Sequence, residues 1–483
     1  MRLAELLTHL DVLQVLGPAD RPVTRVVHDS RLAGPDDVFV AISGAKVDGR
    51  ALARDLDVAA VISDLPVQVK TGVTLVVVPN SRVALAKAAT ALHGAPGAAL
   101  PVVGVTGTNG KTTVTWMLES IAAAAGLKSG VIGTTGCRVA GVAEPTAFTT
   151  PEAPVLQDLL ARMRDAGCGL VAMEVSSIGL SLHRVDGVPY RVGVFTNFSQ
   201  DHLDFHGTMD AYRAAKARLF RELLAPDGTA VLNADDPAWR DMIPPSGRAI
   251  TTGLRGGTQI SATVVAAGLQ GTDCWVRTPR GEGALRLRLP GQFNVSNALG
   301  ALGAALALDI SLDIALNGLA NLQRVPGRLD PVENPGGPSI FVDYAHTPDA
   351  LERVLGVLRP LTPGRLITVF GCGGERDRLK RPLMGRAASL ASDQVILTSD
   401  NPRSEDPDQI LAEIAAGVEG PHAVEPDRAA AIRRAIGQAR PGDCVLIAGK
   451  GHEATQTIGG VSTPFDDRLV AAQALRDLGG DPS

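Results

Sequence analysis

A chain of 483 residues is too long for one hydrophobic core, and its length predicts about three domains. With 45% hydrophobic and 20% charged residues the chain has the composition of an ordinary globular protein, and no apolar run reaches the roughly 18 residues that a membrane helix needs. The net charge of −5 disfavours nucleic acid as the main partner, and five scattered cysteines without metal or redox spacing favour a reducing cytoplasm.

The first segment, residues 1–98, alternates short apolar runs at 38–42, 60–62 and 74–78 with a helical stretch at 81–93. This alternation predicts a small α/β domain, and the Gly-Ala-Pro-Gly cluster at 94–97 predicts a linker. A polar stretch at 28–31, His-Asp-Ser-Arg, is either a binding loop or a polar turn.

A glycine-rich turn at residues 104–113 lies between an apolar run at 100–103 and a helical pattern at 114–125. Glycine allows backbone N–H groups to approach a triphosphate closely, and the N-terminus of the following helix favours its negative charge. The turn is therefore predicted to bind a nucleotide, with Lys111 on the terminal phosphates and Thr112 on Mg²⁺. The sequence of this turn is a variant of the P-loop motif, because the strict motif has glycine where this chain has Val105.

Residues 99–326 continue the alternation of strands and helices, which predicts a mostly parallel sheet whose ligands collect at the carboxyl ends of the strands. Glu174 and His202 follow two apolar runs of this segment, so both are expected near the nucleotide loop. Each is a metal-ligand candidate or, alternatively, a helix cap or ion-pair partner. Residues 251–289 read as a β excursion at the domain edge.

Lys216 falls on the apolar stripe of a helix that begins near Thr208, whereas a solvated lysine would lie on the opposite face. An amine held against apolar surface loses proton affinity and can act as a base, form a Schiff base or take up CO₂ as a carbamate. The alternative is a buried stem with its ammonium in water.

Asn294 and Asn297 open a later alanine-rich helix, where their amides either read a purine edge or cap the helix.

The third segment repeats the pattern, and four apolar runs lead into polar clusters at 343–349, 371–377, 400–403 and 449–453. In a doubly wound sheet all four clusters fall on one edge. Arg376 and Arg403 can hold a carboxylate while Asp400 or Glu453 takes an ammonium, so the edge suits a zwitterion, although surface ion pairs use the same residue types.

With these motifs in all three segments, the chain resembles the Mur ligase family over nearly its whole length. The resemblance implies an α/β fold of three domains: a small α/β N-terminal domain at 1–98 that binds the UDP-sugar substrate, a central P-loop-type doubly wound, mostly parallel sheet at 99–326 that binds ATP, and a Rossmann-like C-terminal domain at 327–483 that binds the amino acid. It also implies a cytoplasmic monomer with small-molecule substrates and no nucleic-acid or membrane partner.

The resemblance assigns roles to individual residues. It implies ATP contacts from Gly107, Thr108, Asn109, Gly110, Lys111, Thr112, Thr113, Asn297 and Arg328, and Mg²⁺ ligation by Thr112, Glu174, His202 and a carbamylated Lys216. The catalytic residues it implies are Lys111, Lys216 and His346. Nucleotide-sugar contacts are implied for Ser30, Thr149, Thr150, Ser176 and Arg184, and amino-acid contacts for Arg376, Asp400, Asn401, Pro402, Arg403, Gly449 and Glu453. The chain departs from the family pattern at Ile178, where relatives have histidine, and at Leu182, where they have glutamine.

The implied activity is ATP-dependent addition of meso-2,6-diaminopimelate to UDP-N-acetylmuramoyl-L-alanyl-D-glutamate through an acyl phosphate, in peptidoglycan synthesis. The Asp-Asn-Pro-Arg cluster at 400–403 is the form associated with diaminopimelate, because an arginine suits the distal carboxylate that lysine lacks. Two alternatives are weighed: a ligase for L-lysine or another acyl substrate, and a P-loop switch that hydrolyses nucleotide without any amino acid.

Overall fold

The computed structural model describes residues 1–44 and 47–479. Its chain falls into two units. The first comprises Met1–Ala262, Val276–Gly283 and Ser296–Leu319, and the second comprises Thr263–Trp275, Ala284–Val295 and Ala320–Ser483.

The N-terminal part of the first unit is a five-stranded sheet with helices against it. Its elements are α1 Leu3–Leu7, β1 Gln14–Leu16, β2 Arg25–Val27, β3 Asp37–Ala41, α2 Gly49–Leu52, β4 Ala60–Ser63, β5 Thr74–Val77 and α3 Ser81–Leu92. The strand order is β1-β5-β4-β3-β2, with only β1 antiparallel to its neighbour. Alternate residues of β3 point to opposite faces: Val38 and Val40 pack with α1 and α3, whereas Phe39 packs in a second core. The predicted strands and helix of this segment are confirmed.

The central part of the first unit is a larger sheet that begins at β6. The elements are β6 Val102–Thr106, α4 Lys111–Ala124, β7 Ser129–Gly133, β8 Gly136–Val139, β9 Val142–Glu144, α5 Ala153–Asp165, β10 Leu170–Glu174, α6 Ser177–Ser181, β11 Tyr190–Phe195, α7 Leu203–His206, α8 Met209–Arg221, β12 Leu224–Asn233 and β13 Ala249–Gly253. The order is β13-β12-β11-β6-β10-β7-β8-β9, parallel from β13 to β7 and antiparallel at the β7–β8–β9 edge. The carboxyl ends of β10, β6 and β11 therefore lie side by side.

The division between the two units runs through the next elements. These are β14 Ile260–Gly268, β15 Gly271–Thr278, β16 Gly281–Leu287, α9 Gln292–Ala307 and α10 Leu312–Asn321. The β excursion predicted at 251–289 is confirmed by three of the strands, and the alanine-rich helix by α9.

The C-terminal part of the second unit is a six-stranded sheet covered on both faces. Its elements are β17 Asp330–Val332, β18 Ser339–Asp343, α11 Pro348–Leu361, β19 Leu366–Phe370, α12 Lys380–Ala391, β20 Gln394–Leu397, α13 Pro407–Ala415, β21 His422–Val424, α14 Arg428–Gln438, β22 Cys444–Ala448, β23 Thr455–Ile458, β24 Val461–Pro464 and α15 Asp467–Gly479. The order is β17-β18-β22-β19-β20-β21, and every pair except β17–β18 is parallel.

One core of this sheet contains residues of α11, α12 and α13, and the other contains residues of α14 and α15. Helices on both faces make the sheet doubly wound. The predicted fold class, α/β with mostly parallel sheets in three domains, is confirmed. The boundaries at 98 and 326 stay a prediction.

All five cysteines are free and buried. No helix in residues 1–44 and 47–479 combines the length and the apolar surface needed to cross a bilayer.

Candidate active site

The nucleotide loop joins β6 to α4 with two glycines in conformations that other residues avoid. Gly107 has φ +148° and Gly110 has φ +89°, and Gly110 is the left-handed N-cap of α4. A Cβ at Gly107 would overlap the Thr196 hydroxyl, and one at Gly110 would overlap the Asn297 amide oxygen. The loop therefore needs glycine at both places, and α4 begins three residues earlier than predicted because Gly110 starts it directly.

The end of β11 fixes the other side of this loop. The Thr108 N–H donates to the Asn197 carbonyl at 2.9 Å, and the Asn109 N–H donates to Asn197 Oδ1 at 3.0 Å. Lys111 Nζ donates to the Gly107 and Thr108 carbonyls, each at 2.9 Å. The loop carbonyls thus turn towards the lysine, and Thr112 and Thr113 are buried at the start of α4.

Glu174 lies at the end of a strand, β10, as the sequence predicts, and it is in register with Val105 of β6. Its carboxylate is 1% exposed and accepts from the Thr134 N–H at 2.8 Å and the Thr134 hydroxyl at 3.1 Å. Within the described residues, no basic side chain pairs with it. A buried carboxylate that is hydrogen-bonded yet lacks a cationic partner is a place for a cation.

Lys216 lies in the core of the first unit, 1% exposed, so the interpretation with its ammonium in water is wrong. Its Nζ donates to the Gly107 carbonyl at 2.9 Å and lies 4.4 Å from the ring centroid of Tyr212. Burial, reinforced by the nearby charge of Lys111, holds the pKa of Lys216 well below its usual value. The amines of Lys111 and Lys216 both donate to the Gly107 carbonyl oxygen. The surroundings of Lys216 favour its neutral form.

His202 is the N-cap residue of α7, with φ +51°. Partial burial lowers the pKa of His202, and the charge of Lys111 lowers it further, although Asp201 acts to raise it. The lowered pKa favours a neutral imidazole. No group of three or more His, Cys, Asp or Glu side chains in the described part of the chain is arranged to hold a metal ion. The predicted Mg²⁺ set has only Glu174 and His202 of those types, with Thr112 and Lys216 as its other members.

Of the residues predicted to hold the nucleotide sugar, all but Ser30 are linked around the end of β10. The Thr150 hydroxyl donates to the Glu174 carbonyl at 2.9 Å and accepts from the Ser176 N–H at 3.0 Å. The Thr149 hydroxyl lies 3.0 Å from that of Thr134, and Ser176 caps α6. Ser30 begins a short helical turn capped by Asp29.

Arg184 is held by a carboxylate that the sequence reading missed. Its Nε lies 2.9 Å from Glu152 Oε1, and its Nη1 donates to the Thr150 carbonyl at 3.0 Å. Glu152 Oε2 also lies 3.7 Å from Arg82 Nη1 on α3, so one half-buried carboxylate balances two arginines. Next to Ile178, one of the two departures from the family pattern, the Ser177 hydroxyl lies 3.0 Å from His206 Nε2.

In the second unit, the four predicted clusters follow β18, β19, β20 and β22, which are parallel neighbours. Convergence on one edge is therefore confirmed. A Cβ at Gly373 would lie 3.1 Å from Arg403 Nη1 and 3.8 Å from Arg376 Cγ, so both arginines flank that glycine. Arg376 is exposed, while Arg403 Nη1 donates to the Gly374 carbonyl at 2.5 Å.

The acidic side of this edge is more buried. A Cβ at Gly449, whose φ is +115°, would lie 2.5 Å from Asp400 Oδ2. Burial raises the pKa of Asp400, although Arg428 and Lys450 act to lower it. Asn401 Nδ2 donates to Glu453 Oε2 at 2.8 Å. Pro402 is buried in the same loop.

Around the Asp-Tyr-Ala-His cluster, the Asp343 carboxylate accepts from the Leu329 N–H at 2.7 Å and the Ala345 N–H at 2.8 Å. The Arg328 guanidinium lies 5.0 Å from the Tyr344 ring centroid. His346 is exposed, with Nδ1 2.8 Å from the Tyr344 carbonyl. Buried Lys450 belongs to the predicted cluster at 449–453. The buried Arg428 and Asp467 behind this edge carried no role in the sequence prediction, because they pair across 39 residues of the chain.

Comparison with known proteins gives a consistent result. The Mur ligase middle domain matches residues 105–305, and the Mur ligase glutamate ligase domain matches residues 327–451. A relative from Geobacillus kaustophilus (strain HTA426), named UDP-N-acetylmuramoyl-L-alanyl-D-glutamate–2,6-diaminopimelate ligase, is 43% identical over 493 residues that cover 99% of this chain and 100% of the relative.

A relative of the same name from Synechococcus elongatus is 44% identical, covering 96% of this chain and 97% of the relative. Among solved structures, one described by that same enzyme name is 33% identical with a TM-score of 0.73 and covers 99% of both chains.

Proposed function

This chain belongs to the Mur ligase family, and we propose that it is the ATP-dependent ligase that joins meso-2,6-diaminopimelate to UDP-N-acetylmuramoyl-L-alanyl-D-glutamate in peptidoglycan synthesis. The observation that carries the proposal is the 43% identity, end to end, with a relative of that name. The two units support it, because one contains a nucleotide loop and the other an edge suited to a zwitterion.

The reaction forms an amide in two steps. The glutamyl carboxylate attacks the γ-phosphorus of ATP, which releases ADP and leaves an acyl phosphate. The amine of the amino acid then attacks the acyl carbon, phosphate departs, and the amine loses a proton.

The first step brings an anion to a polyanion, so it needs positive charge. Enzymes of this family are ATP-dependent, and Gly107–Thr113 fit a nucleotide because two glycines with positive φ lead the loop directly into the N-terminus of α4. The N-terminus of α4 offers N–H groups to phosphate, and Lys111 supplies a cation beside them. The Asn297 amide at Gly110 and Arg328 are the proposed further contacts of the nucleotide.

For Mg²⁺, the buried Glu174 carboxylate without a cationic partner fits the ion. We propose that Thr112, Glu174, His202 and a carbamylated Lys216 hold it. Bound there, Mg²⁺ would supply charge to stabilise the transferring phosphoryl group. Carbamylation suits Lys216 because the reaction with CO₂ releases a proton and turns a neutral amine into an anion, and burial keeps that amine neutral.

On the acceptor side, Asp400 and Glu453 are proposed to hold an ammonium of the amino acid, and Arg376 and Arg403 its carboxylate. L-lysine has no distal carboxylate for these arginines, which favours diaminopimelate. Asn401, Pro402 and Gly449 shape the loops, and the exposed His346 is the proposed catalytic side chain of this edge. Ser30, Thr149, Thr150, Ser176 and Arg184 are the proposed contacts of the nucleotide sugar.

The test is phosphate release from ATP with the UDP-linked dipeptide present and the amino acid varied. We expect release with meso-diaminopimelate, far less with L-lysine, and none when either acceptor or dipeptide is omitted. Equal release without any amino acid would contradict a ligase, and preference for L-lysine would contradict the assigned substrate.

We also propose a cytoplasmic monomer with domains at 1–98, 99–326 and 327–483, without a nucleic-acid or membrane partner. The five buried free thiols agree with a reducing compartment. Light scattering coupled to gel filtration tests the oligomeric state, and a dimer mass would contradict it.

A further inference from the structure

A fully buried ion pair lies behind the loops that carry Asp400 and Glu453 in the second unit. Arg428, the first residue of α14, and Asp467, the first residue of α15, are both 0% exposed in their side chains. Arg428 Nε lies 2.7 Å from Asp467 Oδ1, and Nη2 lies 2.6 Å from Oδ2. Such a two-pronged pair deep in a protein is costly to desolvate, and breaking it leaves a buried charge uncompensated.

The remaining N–H groups of this guanidinium bind two strand ends. Nη1 donates to the Ser399 carbonyl at 3.4 Å, and Nη2 donates to the Ala448 carbonyl at 3.0 Å. Ser399 directly precedes Asp400, and Ala448 directly precedes Gly449. In the sheet, β19 lies between β20 and β22, so no strand pairing couples these two ends to each other.

The pair also contributes to the balance of charges around Asp400. Arg428 and Lys450 are its cations, and Asp400, Glu453 and Asp467 are its carboxylates. Lys450 Nζ donates to Asn401 Oδ1 and Glu453 Oε2, each at 3.2 Å, and to the Thr455 carbonyl at 2.6 Å. Three carboxylates against two cations leave a net negative charge, which suits an incoming ammonium.

We propose that Arg428, locked by Asp467, is a positioning residue for the amino-acid substrate: it holds the loop that begins at Ser399 and the loop that begins at Ala448 at a fixed separation. Asp400 and Glu453 then face the same ammonium. The inference rests on the proposed function, since it assigns those two carboxylates to the acceptor amino acid.

Arginine is required here for its shape. A lysine at 428 keeps the positive charge but has a single nitrogen, which cannot reach both oxygens of Asp467 and both carbonyls. R428K therefore separates charge from geometry. The double variant R428M/D467L removes both charges together, an exchange that buried ion pairs often tolerate without loss of stability.

The chain offers a matched control at the opposite edge of the same sheet. Arg365 lies before β19 and pairs with Asp443 before β22, with Nη2 2.7 Å and Nε 3.2 Å from Asp443 Oδ2. R365K makes the same chemical change to a two-pronged pair that touches no acceptor loop.

The experiment measures KM for each of the three substrates by phosphate release, using whichever of meso-diaminopimelate and L-lysine the wild-type protein accepts. We expect R428K and R428M/D467L to raise KM for the amino acid about tenfold or more, with KM for ATP and for the UDP-linked dipeptide within about twofold of wild type. R365K is expected to leave all three within about twofold.

Partial unfolding lowers the amount of active enzyme and hence the apparent kcat, but it does not change KM. The positioning role is overturned if R428K leaves the amino-acid KM unchanged, if it raises all three KM values equally, or if R365K has the same effect. Failure of the proposed function has a different signature, because the wild-type protein would then release no amino-acid-dependent phosphate.

Discussion

The buried carboxylate of Asp400 leads to a prediction in which stability and binding change in opposite directions. Burial raises the pKa of Asp400 despite the opposing charges of Arg428 and Lys450. The folded protein therefore binds this proton more tightly than the unfolded chain does, and stability falls as pH rises from the ordinary pKa of an aspartate, about 4, to the raised value. Above the raised pKa the full cost of the buried charge is present.

Asp400→Asn removes that charge and keeps the shape. Because the buried charge destabilises the folded protein, and one pKa unit corresponds to about 1.4 kcal/mol, we expect Asp400→Asn to increase the free energy of unfolding at pH 8 measurably. The gain should vanish near pH 4, where the wild-type carboxyl is protonated too. The same substitution should raise KM for the amino acid at least about tenfold, because a charge-assisted contact to its ammonium is lost.

Urea unfolding at pH 4 and pH 8 measures the first effect, and phosphate release measures the second. In wild type, KM for the amino acid should rise as the pH falls, starting above the range of an ordinary aspartate, and this dependence should be absent in Asp400→Asn. Asp408, exposed on α13, provides Asp408→Asn as a control. A loss of stability at pH 8 in Asp400→Asn, or an unchanged KM, would refute the reasoning.

Three further substitutions test the first unit. Lys216→Ala should lower ligase turnover on the order of 100-fold or more, with partial recovery on adding acetate; full activity would contradict a role for the amine. Gly110→Ala should lower the free energy of unfolding in urea by about 2–4 kcal/mol, since φ is +89° and the new Cβ overlaps Asn297. The double variant Gly110→Ala/Asn297→Gly should recover only the part of this stability loss that comes from the overlap with Asn297. An equal loss of stability in the single and the double variant would exclude that overlap as a cause. Glu152→Gln should raise KM for the UDP-linked dipeptide about tenfold with KM for ATP unchanged, because Arg184 loses its charged partner; a rise in both KM values would point to general damage.

Local patterns predicted much of the fold. The apolar runs at 38–42, 60–62 and 74–78 became strands, and the four C-terminal runs share one parallel sheet because alternating strands and helices allow few topologies. The positions of Glu174 and Lys216 also followed from pattern, since a strand end and a helix stripe fix where a side chain points.

The residues that sequence reading missed are those whose partners are remote in the chain. Arg428 and Asp467 are separated by 39 residues, and no periodicity links the starts of two helices that meet behind a sheet. Glu152 was not singled out from the sequence, yet it pairs with Arg82 of α3 and with Arg184, which follows α6. The strands β8 and β9 were missed as well, because short antiparallel edge strands carry too few residues for a pattern.

The buried thiols give this protein an internal reporter of local opening. Burial raises the pKa of Cys372 and of Cys444 to about 12, and that of Cys274 to about 11, so each stays protonated and unreactive at neutral pH while its surroundings are closed. A thiol reagent then labels a cysteine only when the structure around it opens, and the labelling rate measures the free energy of that opening. Because Cys137 and Cys168 lie in the first unit and Cys372 and Cys444 in the second, one labelling experiment on the unmodified chain reads the two units separately.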